Sequence, residues 1–252
     1  VSGQDDFMRA IDAGECRDGN FSQLSLEGFN RNNLILSHCR LSDCDFSSAS
    51  LDGLTLSHCT LINCDFSRAS LQDCLFEYST FYDKSTQRGC YFKSADLKRS
   101  EFKHCDISMS HFGHAELFQI IIDGCQSQGA NFELANFANV INRKVIFNAA
   151  QLTNSNFNYA DFSAVNLSKC DLSDSKFHST IFLSTNLEQC DLTNTEFAPL
   201  HYKGLSLVGA DLRNADIGQI DLRLLDVSGV KIFAWQQTAL LESLGFIIFP
   251  DN

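Results

Sequence analysis

The residues best equipped for chemistry in this chain are eleven cysteines and seven histidines. Ser-His-Cys occurs at Ser37–Cys39 and again at Ser57–Cys59, and His104–Cys105 repeats the last two letters. Thiolate and imidazole together suit zinc, and closely spaced thiols suit disulfides. Their surroundings argue otherwise. LSHCRLSDCDFSSAS (Leu36–Ser50) returns twenty residues later as LSHCTLINCDFSRAS (Leu56–Ser70), so both motifs belong to a repeat.

Stepping every fifth residue from Leu36 gives Leu36, Leu41, Phe46, Leu51, Leu56, Leu61, Phe66, Leu71, Phe76 and Phe81. Phe21 and Leu26 extend the series upstream, with Arg31 interrupting it. After Phe81 the register slips by one, then runs from Phe92 to Ile232 with Ser127 and Asn142 as its polar members and Tyr202 as a mild variant. Two residues before each centre stands a small residue such as Cys39, Cys44, Ala49, Ala95, Ala130 or Cys170. A period of five fits neither a helix nor a strand. It fits a square coil in which each five-residue unit forms one side, the centre and the small residue point inward, and four units close one turn. Such coils bury their faces only by stacking, at ~4.8 Å per coil. Residues 19–233 then form about ten or eleven coils in a rod ~50 Å long. Ten of the eleven cysteines fall in the inward small slot, all but Cys16, and are read as packing residues. His38 faces out where Cys39 faces in, so the two share no metal. No metal or cofactor is expected.

Nor is catalysis. The chain has no glycine-rich phosphate loop, no HExxH and no nucleophile elbow, and a Phe/Leu-filled interior leaves no substrate cavity. The net charge of −12 argues against binding nucleic acid through a basic face. No apolar run is long enough to span a membrane. No basic-then-apolar leader is visible, so a cytoplasmic location is expected.

Information in a repetitive scaffold lies where the pattern breaks. Tyr82, Asp83, Lys84, Ser85, Thr86, Gln87, Arg88 and Gly89 separate Phe81 from Cys90 and must leave the wall as a loop. A second protrusion is expected over Ala138–Ile146, where Asn139, Val140, Ile141, Asn142, Arg143 and Lys144 mix polar and branched residues. The segment Tyr82–Lys103 carries +3, leaving −15 elsewhere. Acids recur twenty apart: Asp171, Asp191 and Asp211 in one row, Glu196 and Asp216 in another. These rows form either a solvated face or a rod whose charges imitate the phosphates of a duplex. The end, SGVKIFAWQQTALLESLGFIIFPDN, predicts a helix over Ala234–Leu244 stopped by Gly245. Its apolar load at Trp235, Leu240, Leu241, Leu244 and Phe246 points to a two-fold dimer through this end. The chain therefore divides into an N-terminal tail or cap (1–18), the coil (19–233) and a helix with its tail (234–252).

The period-five pattern resembles the pentapeptide repeat proteins, whose fold is a right-handed quadrilateral β-helix, an all-β solenoid. Three irregular stretches resemble one branch, the Qnr quinolone-resistance proteins: FYDKSTQRGCYFKSADLKRSEFKHCDISMSHF (Phe81–Phe112), Gln128–Phe162 and VSGVKIFAWQQTALLESLGFIIFP (Val227–Pro250). The resemblance runs from about Phe76 to the C-terminus. It implies a dimeric rod that binds DNA gyrase and topoisomerase IV, imitates duplex DNA and protects those enzymes from quinolones. Both loops then carry protection and the C-terminal segment carries dimerisation, with no direct nucleic-acid binding. Residues 1–75 include about two coils more than the family leads one to expect. An immunity protein against a gyrase-directed toxin, or a scaffold for an unrelated partner, would use the same rod.

Overall fold

The computed structural model describes residues 3–142, 145–217 and 220–249. The period of five becomes a four-sided coil. Seven short strands on one side pair in parallel, in chain order: Glu15–Arg17, Ile35–Ser37, Thr55–Ser57, Leu75–Glu77, Glu101–Lys103, Ile121–Asp123 and Gln151–Thr153. A second side starts with Asn20–Ser22, Arg40–Ser42 and Thr60–Ile62. Isolated parallel bridges, such as Asp45 to Asp65 and Asp191 to Asp211, continue the ladders along the rod.

Nearly every corner is turned by the second residue after a centre, held in the left-handed region. Around one coil, His38, Asp43, Ser48 and Gly53 have φ of 53°, 54°, 58° and 71°. That conformation costs a side-chain-bearing residue roughly 1–2 kcal/mol, which is why Asn, Asp, His, Ser and Gly crowd the slot. Stacking offsets the cost. The corner residue donates its N–H to the next coil, as His38 does to the Ser57 carbonyl (2.9 Å) and Asp174 to that of Thr193 (3.0 Å).

Inside, stacking puts like on like. Phe46, Phe66, Phe92, Phe112, Phe132, Phe162 and Phe182 form one column, with successive ring centroids 5.0, 5.2, 4.9, 4.9, 4.8 and 5.5 Å apart. The rings are parallel because the backbone pitch sets their spacing within the range that aromatic pairs favour. All eleven cysteines are buried free thiols. Burial pushes the Cys74 and Cys170 thiols up to about 12, away from the reactive thiolate. Cys16, outside the inward slots on the sequence register, pairs with Leu36 and so takes a centre position. Ser127 also sits at a centre, buried, and its hydroxyl has no hydrogen-bond partner among the described residues.

Both ends are plugged. At the N-terminal end the helix α1 (Gln4–Ala10) buries Phe7 against Phe21, centroids 5.1 Å apart. Arg31, the break in the register, donates to the Ile11 and Asp12 carbonyls at 3.0 and 2.8 Å, which fastens the chain just after α1. The C-terminal helix is a 3₁₀ turn over Ala234–Gln236 followed by α2 (Gln237–Ser243), with Gly245 at φ 88° ending it. Gln236 is buried beneath it. Its amide nitrogen donates to the Leu212 and Ala215 carbonyls, both at 2.9 Å. Its carbonyl accepts from the N–H of Asn214 (3.1 Å) and of Phe233 (2.8 Å). Elsewhere a corner N–H such as that of Asn194 finds the backbone carbonyl nineteen residues on, Arg213. At Asn214 the Gln236 side chain stands in for the missing coil.

The Phe column predicts the stability of the rod. Phe132→Ala should destabilise the protein by about 3–5 kcal/mol, read as a lower denaturant midpoint. A loss under ~1 kcal/mol would mean that the column is not close-packed.

Candidate partner-binding surface

Two hairpins leave the wall. Pairing across the first is offset by twenty-six residues, Phe76 opposite Phe102, where neighbouring coils are offset by twenty. Six residues are therefore extra, and they emerge between Phe81 and Cys90. Tyr82–Asp83 pairs antiparallel with Arg88–Gly89, and the Cys90 N–H donates to the Phe81 carbonyl (3.0 Å) to close the base. The tip is ordered by Asp83, whose carboxylate accepts from the Ser85 N–H (2.9 Å), the Ser85 hydroxyl (2.7 Å) and the Thr86 hydroxyl (2.7 Å). Those bonds, the Ser85 hydroxyl first, hold the Asp83 carboxyl below its usual range. Lys84, Ser85, Thr86, Gln87 and Arg88 are exposed. Gly89 is not. A Cβ there would overlap the Ser110 backbone nitrogen and the Met109 carbonyl carbon, so only glycine lets the returning strand lie on that turn.

The second hairpin pairs Ala138–Asn142 with Val145–Asn148. Asn139 faces Phe147, Val140 faces Ile146 and Asn142 faces Val145, with a register shift beside Ile141. Arg143 and Lys144 lie outside the described residues. Across this hairpin Ile121, Gln126 and Asn131 pair with Gln151, Asn156 and Asp161, thirty residues on. The insertion is ten residues, two whole repeats, which is why the five-residue register runs through it unbroken. Asn142 is thus part of the hairpin and not a wall centre. Asn148 anchors the base from a buried position, its amide donating to the Ser168 carbonyl (3.0 Å) and hydroxyl (2.9 Å).

Charge around the first hairpin is sorted. Lys98 pairs with Asp96 and Glu116 at 3.3 and 3.6 Å, Arg99 grips Asp73 at 2.7 Å, and Lys103 pairs with Glu101. Lys84, Arg88 and Lys93 make no ion pair among the described residues, which leaves the hairpin flank as the cationic part of the segment.

The acid rows have a local purpose. The Asp171 and Asp191 carboxylates accept from the N–H two residues on, Ser173 at 3.0 Å and Thr193 at 2.9 Å. Asn156, Asn166 and Asn186 do the same in other repeats. Asn would satisfy each turn, so the charge of Asp171 and Asp191 is additional to what the fold requires. Further along, Asp211 is held by Arg213 (2.8 Å) with Lys231 at 3.7 Å, and Glu196 by Lys176 (2.6 Å). The Arg213 guanidinium keeps the Asp211 carboxyl below its usual range. Asp216 bridges to Glu196 on the same side of the rod.

At the C-terminal end the five apolar residues separate. Leu240 is buried against the last coil as part of the cap. Leu241 and Leu244 are half-buried, and Trp235 and Phe246 are exposed. The sequence names Gly89 only as an exposed loop residue, whereas it is buried at the base of the hairpin, and sequence reasoning missed Asn148 and Gln236, which seat the other two features.

The four-sided coil with its two hairpins defines a pentapeptide-repeat solenoid, and the Pentapeptide repeats family profile matches residues 35–77, 130–168, 146–182 and 170–198. The solved structure of full-length QnrB1, a plasmid-mediated fluoroquinolone resistance protein, superposes with a TM-score of 0.74 at 33% identity. That match covers 90% of this chain and 100% of QnrB1. The quinolone resistance pentapeptide repeat protein QnrB96 of Scandinavium goeteborgense is 37% identical over 152 residues, 59% of this chain and 62% of that one. QnrB4 of Escherichia coli is 37% identical over 92 residues, 36% of this chain and 43% of that one. The matched stretches thus span less than two thirds of either curated relative. The chain belongs to the Qnr quinolone-resistance pentapeptide repeat proteins.

Gly89 gives the sharpest test of how the first hairpin is held. Gly89→Ala should leave the coil folded, cost about 1–3 kcal/mol, and speed tryptic cleavage at Lys84 and Arg88 several-fold. Unchanged cleavage and stability would show that the hairpin does not rest on the Met109–Ser110 turn.

Proposed function

We propose that this chain is a cytoplasmic, non-enzymatic protector of type II topoisomerases, DNA gyrase and/or topoisomerase IV, against quinolones. The observation that carries the reading is the match along the whole length of a fluoroquinolone resistance protein at 33% identity. Nothing in it calls for chemistry by the protein. A rod with anionic rows enters a surface shaped for duplex DNA, complementarity of field and shape supplying recognition. The hairpins at 82–89 and 138–146 reach beyond the rod, and the free cations Lys84 and Arg88 seek acidic groups on the enzyme. Two copies join through the C-terminal end, using Trp235, Leu241, Leu244 and Phe246, which doubles the length of the acidic rod. Leu240 supports that end from within the cap.

The reading is tested by gyrase supercoiling in the presence of ciprofloxacin. Added protein should restore supercoiling at concentrations that do not inhibit the drug-free reaction, and absence of rescue would remove gyrase from the account. The charge element has its own test. Asp171→Asn together with Asp191→Asn preserves the turn acceptors, so stability should change by less than ~0.5 kcal/mol, while the protein needed for rescue rises several-fold. Equal rescue would reduce the acid rows to turn formers.

A further inference from the structure

One corner of the coil cannot be turned as the others are. The corner slot holds Ser179, Ser184, Gln189 and Asn194 at φ of 55°, 54°, 58° and 60°, then Gly204 at 76°. Between them the slot falls on Pro199. The proline ring fixes φ near about −65°, so the left-handed corner is forbidden, and the turn present in the neighbouring repeats is absent at Ala198–Pro199. The ladder shifts as a result. Elsewhere the donor is the residue just before a centre, Asp191 to the Cys170 carbonyl or Ser206 to that of Thr185, twenty-one residues back. Here the donor is Leu200, to the Thr180 carbonyl twenty residues back. Leu200 occupies the inward small slot by sequence, yet its side chain is 58% exposed.

The displaced corner opens a groove of about 460 Å³ lined by Leu183, Leu200, His201, Tyr202, Lys203, Gly204 and Leu224. Leu224 in its lining is 70% exposed. The groove is built by the last three repeats on this side, within about two coil spacings (~10 Å) of the C-terminal end. At that end the chain carries an apolar segment outside any helix or strand, Phe246, Ile247, Ile248 and Phe249 being 59%, 81%, 38% and 81% exposed. Four extended residues reach ~13 Å, enough to run from one rod end onto the flank of another.

We infer that the Phe246–Phe249 segment of a second copy lies in the Pro199 groove of the first, and reciprocally, so that the dimer is clasped by exchanged tails. This rests on the end-to-end dimer proposed above. The chemistry matches on both sides. Leucine walls receive Phe and Ile side chains, and the His201 and Lys203 rim presents no carboxylate against an uncharged strand. Each tail thereby covers apolar surface that a lone copy leaves in water. The two-fold symmetry that repeats one contact repeats the other.

The test uses full-length chains carrying different tags, one with Leu200→Cys and the other with Phe249→Cys, co-expressed and treated with a short bis-maleimide. The native cysteines are buried, so the unsubstituted protein serves as the blank. The expected result is a cross-linked pair of unlike tags, with Leu200→Asp weakening the dimer roughly tenfold and leaving circular dichroism unchanged. A dimeric mass by light scattering with no cross-link, or with Leu200→Asp dimerising as tightly as the parent, would overturn the exchanged tail and leave the dimer standing. A monomeric mass for the unsubstituted protein would overturn both. Cross-linking within one chain carrying both substitutions, but not between chains, would place the tail in its own groove and also overturn the inference.

Discussion

The pitch of the backbone ladder governs this molecule. Coil must sit on coil at the spacing of parallel strands, ~4.8 Å, because most corner and wall N–H groups are satisfied only by the coil above or below. From that constraint follow the columns of identical side chains, the left-handed corners that return the chain to the same side every twenty residues, and the need for a plug wherever coils end. Gln236 shows how strict the requirement is, since one side-chain amide supplies both the donor and the acceptor that the next coil would have provided.

The same pitch shapes the surface. Side chains twenty residues apart face outward together, so acids stack on acids and repel at close range. The rod tolerates this because Asp171, Asp191 and Asp211 also tie down local turns and Lys176 offsets Glu196. A regular array of charge along a stiff rod is thus cheap for this fold to make, and hard for a globular protein. Hairpins can leave only at points where the ladder resumes afterwards in register. The six- and ten-residue insertions do so by closing their own bases, with the Cys90–Phe81 bond at one and Asn148 at the other. In the proposed function, recognition belongs to the rod's outline and field, with the coils presenting the hairpins at fixed positions.

Much of this was legible in the sequence because a period of five has one structural solution. The first hairpin announced itself by breaking the register after Phe81. The second announced itself only by composition, the polar Asn142, Arg143 and Lys144 among branched residues, since an insertion of two whole repeats leaves the register intact. The fates of the C-terminal leucines were hidden. Helical spacing places Leu240, Leu241 and Leu244 near one another, but which of them faces the coil depends on how Gln236 is seated. Gly89 and Asn148 act through contacts that are distant in sequence, and no periodicity marks them. Pro199 is different. Its signal was present, since proline is the one residue type whose ring forbids the positive φ that residues as varied as Asn, Ser, Gln and Arg adopt in this slot, but the slot has meaning only once the corner is known to need that φ.

In the proposed function the rod occupies the place of duplex DNA on a topoisomerase. The most direct measurement is an equilibrium competition on gyrase between this protein and a labelled linear duplex, without drug or nucleotide. Mutual exclusion is expected, with the apparent affinity for the protein falling in proportion to added duplex. Simultaneous binding of both, at affinities that do not depend on each other, would contradict it.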